Sequence, residues 1–345
     1  MWNSNDLRED LILLNEMQKK ENDINMREYY SLIIGAIYDN IVDLESDSSV
    51  IEEPNYENTI RDFSTCNLYY PYIKKYHDLY LKNSISNDKY IYHRKNYKIN
   101  KKDTFELIDN FYKSFDKEIY NHFKTVLNNC KINYYKNNDI NDGEIISVPI
   151  LGKNYIGIAK KRDIREEVVS LTHELGHATI LDMNKKRYYY DKFTEIESFF
   201  FELLGCDFFA KELNDKFFIE EKKGYLSYNF ELAEGILNTK SLILRLFKEN
   251  SKISSKKFDK IMKQDSEYLS LDIDLDVTYL FSYIVAIELY ENYLIDKDKA
   301  LQKLINITSN SNEKSEYERI LNNVTPCKTL TKNFDRYKKK QSEIK

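Results

Sequence analysis

Glycine and proline are scarce in this 345-residue chain, at eight and four residues. Sandwiches and barrels of β-strands turn often and use both freely, so the scarcity excludes them and points to a mostly helical protein. Cysteine is equally thin. Cys66, Cys130, Cys206 and Cys327 are scattered without a C-x-x-C pair, which excludes a disulfide framework and reads as free thiols in a reducing compartment. No run of ~18 apolar residues occurs, so no membrane span is expected. A formal net charge of -5 supplies no broad basic field, and nucleic acid is not an expected partner. The opening Met1-Trp2-Asn3-Ser4-Asn5-Asp6 has neither a basic nor an apolar signal region, so no signal peptide is expected and the cytoplasm is the expected location.

Histidine is scarce too, at five residues, and two of these stand in His173-Glu174-Leu175-Gly176-His177, an H-E-x-x-H sequence. On a helix, residues i and i+4 lie one above the other, so both imidazoles can reach one metal ion. Glu174 follows the first histidine, where its carboxylate can take a proton from a metal-bound water. The surrounding residues support a helix. Asp163 and Glu166 have the spacing of a capping box. Val168, Val169, Leu171, Leu175, Ala178 and Leu181 recur close to a 3.6-residue period. The histidines are therefore expected mid-helix, beside a buried stripe that favours the neutral, ligating imidazole.

A catalytic zinc usually takes three protein ligands and leaves one position for water. His77, His93 and His122 all lie upstream of the motif, so no third histidine follows it. The candidates are acidic residues on a predicted second helix, Thr194-Glu195-Ile196-Glu197-Ser198-Phe199-Phe200-Phe201-Glu202. Glu195 and Glu202, seven apart, share a face, and Glu197 points elsewhere. Thr194 and Glu197 have capping-box spacing, which would give Glu197 a local role. The pattern favours Glu195 as ligand and leaves Glu197 open, with Glu202 behind the ligands or facing the cavity.

Residues Asp163 to His177 (DIREEVVSLTHELGH) resemble the motif helix of the M3 family of zinc metallopeptidases, the thimet oligopeptidase and oligoendopeptidase F group. The E-x-x-S-x-x-x-E pattern of that family maps onto Glu195, Ser198 and Glu202, and the resemblance implies Glu195 as the ligand of a single Zn²⁺. Asp103 to Lys131 resembles the family's helix before its substrate strands. Ile145–Pro149 and Tyr155–Ala159 read as strands, and in the family an edge strand here pairs with the peptide substrate. Tyr279-Leu280-Phe281-Ser282-Tyr283-Ile284-Val285-Ala286 resembles the tyrosine-rich C-terminal helix. The resemblance implies that Tyr279 and Tyr283 face the site and support the oxyanion. The chain departs from the family in a shorter connection to the third ligand, in lacking a histidine before the tyrosines, and in a reduced N-terminal part.

The expected fold is thus a helical, zincin-type (gluzincin, M3-like) metallopeptidase with a small sheet beside the active-site helix. Its expected parts are a reduced N-terminal helical region, 1–102, and a catalytic region, 103–345. Helices are predicted near Leu7–Lys20, Met26–Leu44, Tyr72–Leu81, Tyr228–Lys248, Lys256–Lys263, Thr278–Tyr293, Lys299–Ile307 and Glu316–Leu321, with Pro326 stopping the last. The expected activity is endopeptidase action on peptides. Its rivals are a carboxypeptidase on a similar scaffold, a processing protease for one partner, and a non-catalytic zinc protein, against which Glu174 speaks because a structural site needs no base.

Overall fold

The computed structural model describes residues 3–45, 65–82, 101–135, 143–160, 163–184, 193–249, 273–309 and 316–334. They fall into two compact units. The first takes in the described residues of Met1–Ile51, Arg94–Asp191 and Thr308–Asn312, and the second those of Glu52–His93, Lys192–Ile307 and Glu313–Lys345. The chain opens the first unit with α1 (Ser4–Lys20) and α2 (Ile24–Glu45) and gives α3 (Tyr70–Lys82) to the second. It returns for α4 (Lys101–Lys113), α5 (Lys117–Asn129), the strands β1 (Cys130–Tyr135), β2 (Gly143–Val148) and β3 (Lys153–Ala159), and α6 (Ile164–Met183). The second unit is completed by α7 (Glu195–Glu212), α8 (Phe217–Glu249), α9 (Ile273–Tyr293), α10 (Lys297–Thr308), α11 (Glu316–Asn323) and α12 (Lys328–Asn333).

In the first unit, Asn3 and Asp6 form a capping box that starts α1, satisfying two of the helix's orphan N–H groups. A three-residue connection then folds α2 back along α1, where the Gln18 side chain donates to the Arg27 carbonyl at 3.0 Å. The sheet has the order β1-β3-β2. β1 runs parallel to β3, with Ile132 opposite Ile156. β2 runs antiparallel to it, with Ile146 opposite Tyr155. Between β2 and β3 the chain turns through Pro149–Leu151 and Gly152, whose φ of 62° is the left-handed conformation that suits glycine. Successive strand residues face opposite sides. Ile146, Val148 and Tyr155 face one way and pack with Leu7, Leu14, Tyr30, Ile33 and Ile37 of the helical hairpin. The other side of β2 and β3 meets α6.

The seam between α1 and the sheet also holds a buried carboxylate. Asp10 is 1% exposed and accepts hydrogen bonds from the Lys153 ammonium and the Tyr155 hydroxyl. Asp10→Ala removes the acceptor of both hydrogen bonds and is expected to cost about 2–3 kcal/mol, the loss of hydrogen bonds to a charged acceptor. Urea unfolding measures this, and an unchanged midpoint would contradict it.

In the second unit, α9 is buried along most of its length and packs against α3, α7, α8 and α12. Lys222 of α8 donates to the Tyr290 hydroxyl of α9 at 2.9 Å and pairs with Asp207 of α7, tying three helices at one polar knot. Glu288 of α9, 2% exposed, accepts the Thr329 N–H at 2.7 Å and the Leu330 N–H at 3.1 Å. It supplies the acceptor that the start of α12 needs.

The helical fold with a small sheet is the expected one. The strands near Ile145 and Tyr155 and most of the helices fall where they are expected. Three features differ. Asp103–Lys131 is not one helix: α4 starts two residues before Asp103, and Ser114 and Asp116 interrupt the run. Asp116 then caps α5 by accepting the Ile119 N–H at 2.9 Å. β1 and α12 were not expected. The predicted helix Lys256–Lys263 lies outside the described residues.

Candidate active site

The H-E-x-x-H sequence sits in the middle of α6. Asp163 caps this helix by accepting the Arg165 N–H at 3.0 Å and also binds the Arg165 guanidinium. Val168, Val169, Leu171, Leu175, Ala178 and Ile180 are buried. Thr172 and Thr179 are fully buried as well. They satisfy their hydroxyls by donating to the carbonyls of Val168 at 2.8 Å and Leu175 at 2.7 Å, four residues back. This packing fixes the helix that carries the histidines.

His173 and His177 stand one turn apart with ring centroids 5.1 Å from each other and an interplanar angle of 78°. His173 is partly exposed and His177 buried. Glu174 is 5% exposed, and it lies against the first residue of β2: a β-carbon built on Gly143 would stand 2.6 Å from Glu174 Oε1. β2 is thus the outer strand of the described sheet, paired with β3 on one edge, with its beginning beside the Glu174 carboxylate.

Glu195 and Ser198 lie in the first turn of α7. The Ser198 hydroxyl is within hydrogen-bonding distance of Glu195 Oε2, at 3.1 Å, and of the Glu195 carbonyl, also at 3.1 Å. It therefore orients the carboxylate. Thr194 makes no side-chain cap, so the expected Thr194–Glu197 capping box is not formed. Thr194 already has helical φ and ψ of -61° and -22°, whereas a capping side chain needs the extended backbone of an N-cap. Glu197 is fully buried and Glu202 is 4% exposed.

Phe199, one turn beyond Glu195, takes two tyrosine rings edge-to-face. Tyr279 stands 4.9 Å away at 83° and Tyr283 5.4 Å away at 89°. Tyr279 is partly exposed. Tyr283 is fully buried, and its hydroxyl has no hydrogen-bond partner among the described residues. Burial pushes the Tyr283 phenol well above its ordinary pKa, and neighbouring Tyr76 and Glu202 add to the shift. The group stays a neutral donor.

One possible ligand atom from each of His173, His177 and Glu195 lies within 4.8 Å of the others. Two imidazoles and one carboxylate are the donor set of a catalytic zinc, which leaves a fourth position for water or substrate. The residues present fit a single divalent ion of this kind, and the same cluster does not include Glu197. The sequence reading did not find Gly143. A glycine opening a strand was its only local signal.

No family model matches the chain, and no curated protein matches it. Among solved structures, it is similar to a protein assigned as oligoendopeptidase F from Bacillus anthracis, with 15% identity and a TM-score of 0.53. That superposition covers 94% of this chain and 64% of the other. A second structure assigned as an oligoendopeptidase F has 12% identity and a TM-score of 0.47, covering 89% and 62%. PZ peptidase A in complex with an inhibitor has 13% identity and a TM-score of 0.44, covering 94% and 66%. The chain therefore spans less than two thirds of the length of these proteins. The Bacillus anthracis structure shows a shared fold. No helix among the described residues is long and apolar enough to cross a membrane.

Proposed function

We propose that this chain is a zinc-dependent endopeptidase of the M3 type that hydrolyses peptides, with His173, His177 and Glu195 as the metal ligands. The observation that carries the reading is the convergence of those three donors, with a buried glutamate on the helix that carries the two histidines. A zinc ion held there would supply a Lewis acid for the scissile carbonyl and for the attacking water. Glu174 takes the proton from that water as it attacks and passes it to the leaving amine. Ser198 holds the Glu195 carboxylate in place. Tyr279, partly exposed beside Phe199, donates to the developing oxyanion, with Tyr283 buried behind it as a neutral phenol and the second candidate for that role.

The substrate is a peptide in extended form that adds to the outer edge of β2, the terminal strand of the described sheet, through main-chain hydrogen bonds. Such pairing accepts varied side chains, and the contact between Gly143 and Glu174 supports it by bringing that edge to the general base. The four cysteines are free thiols, three of them buried, which suits work in the cytoplasm.

The test is a mass-spectrometric profile of products from a mixed-length peptide library incubated with the zinc-loaded protein. Internal cuts are expected. Loss of single C-terminal residues would replace the endopeptidase with a carboxypeptidase. An untouched library would overturn action on general peptides.

A further inference from the structure

Gly143 combines a permissive residue with a backbone that does not require it. Its φ is not among the positive values of the described residues, so an alanine could adopt the same conformation. In a strand, glycine is also an entropically poor choice. What the position lacks is room. A β-carbon on Gly143 would meet Glu174 at Oε1 (2.6 Å), Cγ (3.0 Å) and Cδ (3.2 Å). Three successive parts of one side chain stand in the way, and the far end cannot simply swing aside, because Glu174 is 5% exposed and packed. Close-packed interiors do not absorb an extra methyl group without moving something.

We infer that Gly143 is a positioning residue for Glu174: its bare backbone forms the wall that sets where the carboxylate rests. The inference rests on the reading of Glu174 as general base. It adds that the first residue of β2 serves two purposes. The strand edge that would bind the peptide and the surface that seats the base are the same short piece of backbone, so their spacing is fixed in one place. A base misplaced by about 1 Å can lose a hundredfold in rate while binding is unchanged.

The structure contains its own control. A β-carbon on Gly157 of β3 would stand 2.7 Å from Glu144 Oε1 and 2.7 Å from Tyr135 Cε2, a clash as severe as that at Gly143. Gly157 is opposite Glu144 in the β2–β3 register. Glu144 follows Gly143 in β2, so this second crowded point lies on the sheet face turned away from Glu174.

The experiment is a pair of double-mutant cycles on the full chain. Gly143→Ala is expected to lower kcat about ten- to a hundredfold, with KM and zinc affinity each within about twofold of the parent, as expected when only transition-state interactions are lost. Glu174→Asp, one methylene shorter, leaves space for the new methyl, so Gly143→Ala in that background is expected to change kcat by less than about twofold. Gly157→Ala is expected to leave kcat unchanged. The second cycle needs no activity. Gly143→Ala lowers the melting temperature by about 2–6 °C, the scale of modest overpacking, and this loss disappears in a Glu174→Ala background. Additive effects in the melting cycle would overturn the contact itself. An unchanged kcat in Gly143→Ala, with the wild type active, would overturn the positioning role. A wild type without peptidase activity would sink the proposed function and leave the melting cycle to decide the contact.

Discussion

Glu174→Gln is expected to yield a protein that folds, keeps its zinc and turns over peptides about 10²–10⁴-fold more slowly. The fall is the usual contribution of a positioned general base. The substitution isolates that role. Glutamine has the same shape, so the packing against Gly143 persists, and Glu174 is not one of the three clustered donors. What disappears is the capacity to accept and return a proton. Zinc content by elemental analysis, kcat on a peptide from the library and the melting temperature should all be measured on one preparation. Loss of zinc together with activity would make Glu174 a ligand or a structural support in place of a base.

The second large effect is on metal affinity. His177→Ala and Glu195→Ala are each expected to weaken zinc binding by more than about a hundredfold, because even residues that only orient ligands cost 10–100-fold when removed. Glu197→Gln is expected to bind zinc within about threefold of wild type, since Glu197 lies outside the cluster. Ser198→Ala falls between them, because its hydroxyl orients Glu195 at 3.1 Å. Competition with a chromogenic chelator measures all four. Zinc binding lost in Glu197→Gln and kept in Glu195→Ala would reverse the assignment of the third ligand.

The parts of this molecule that were legible in the sequence are those set by local chemistry. The helix around His173 and His177 could be read from an N-cap aspartate and a regular apolar period, both of which the structure contains. Helical geometry and a capping pattern favoured Glu195 and left Glu197 open; Glu195 is the acidic residue that lies with the two histidines, although the cap is not formed. The strand near Tyr155 was visible because Tyr155-Ile156-Gly157-Ile158-Ala159 is a short, almost wholly apolar run bounded by polar residues.

What escaped was decided by contacts distant in sequence or by competition between local signals. Cys130–Tyr135 alternates weakly, and its pairing with β3 is what makes it a strand. The helix end at Ser114 was masked by the apolar residues Phe111, Tyr112 and Phe115, which continue the run past it. The short helix after Pro326 owes its start to a carboxylate some forty residues earlier, since Glu288 accepts the Thr329 and Leu330 N–H groups. Thr194 and Glu197 matched a capping pattern that the helical backbone at Thr194 does not use. Gly143 could not be identified from its neighbours in sequence, because the reason for it is a side chain thirty-one residues on.

The central claim is that the donor cluster and Glu174 together make a metal-dependent peptidase. It is tested most directly by incubating one peptide library in parallel with metal-free wild type, zinc-loaded wild type and zinc-loaded Glu174→Gln, and recording product masses. Internal cleavage by the zinc-loaded wild type, with none from the other two, is the predicted result. Equal cleavage by the metal-free protein or by Glu174→Gln would contradict it.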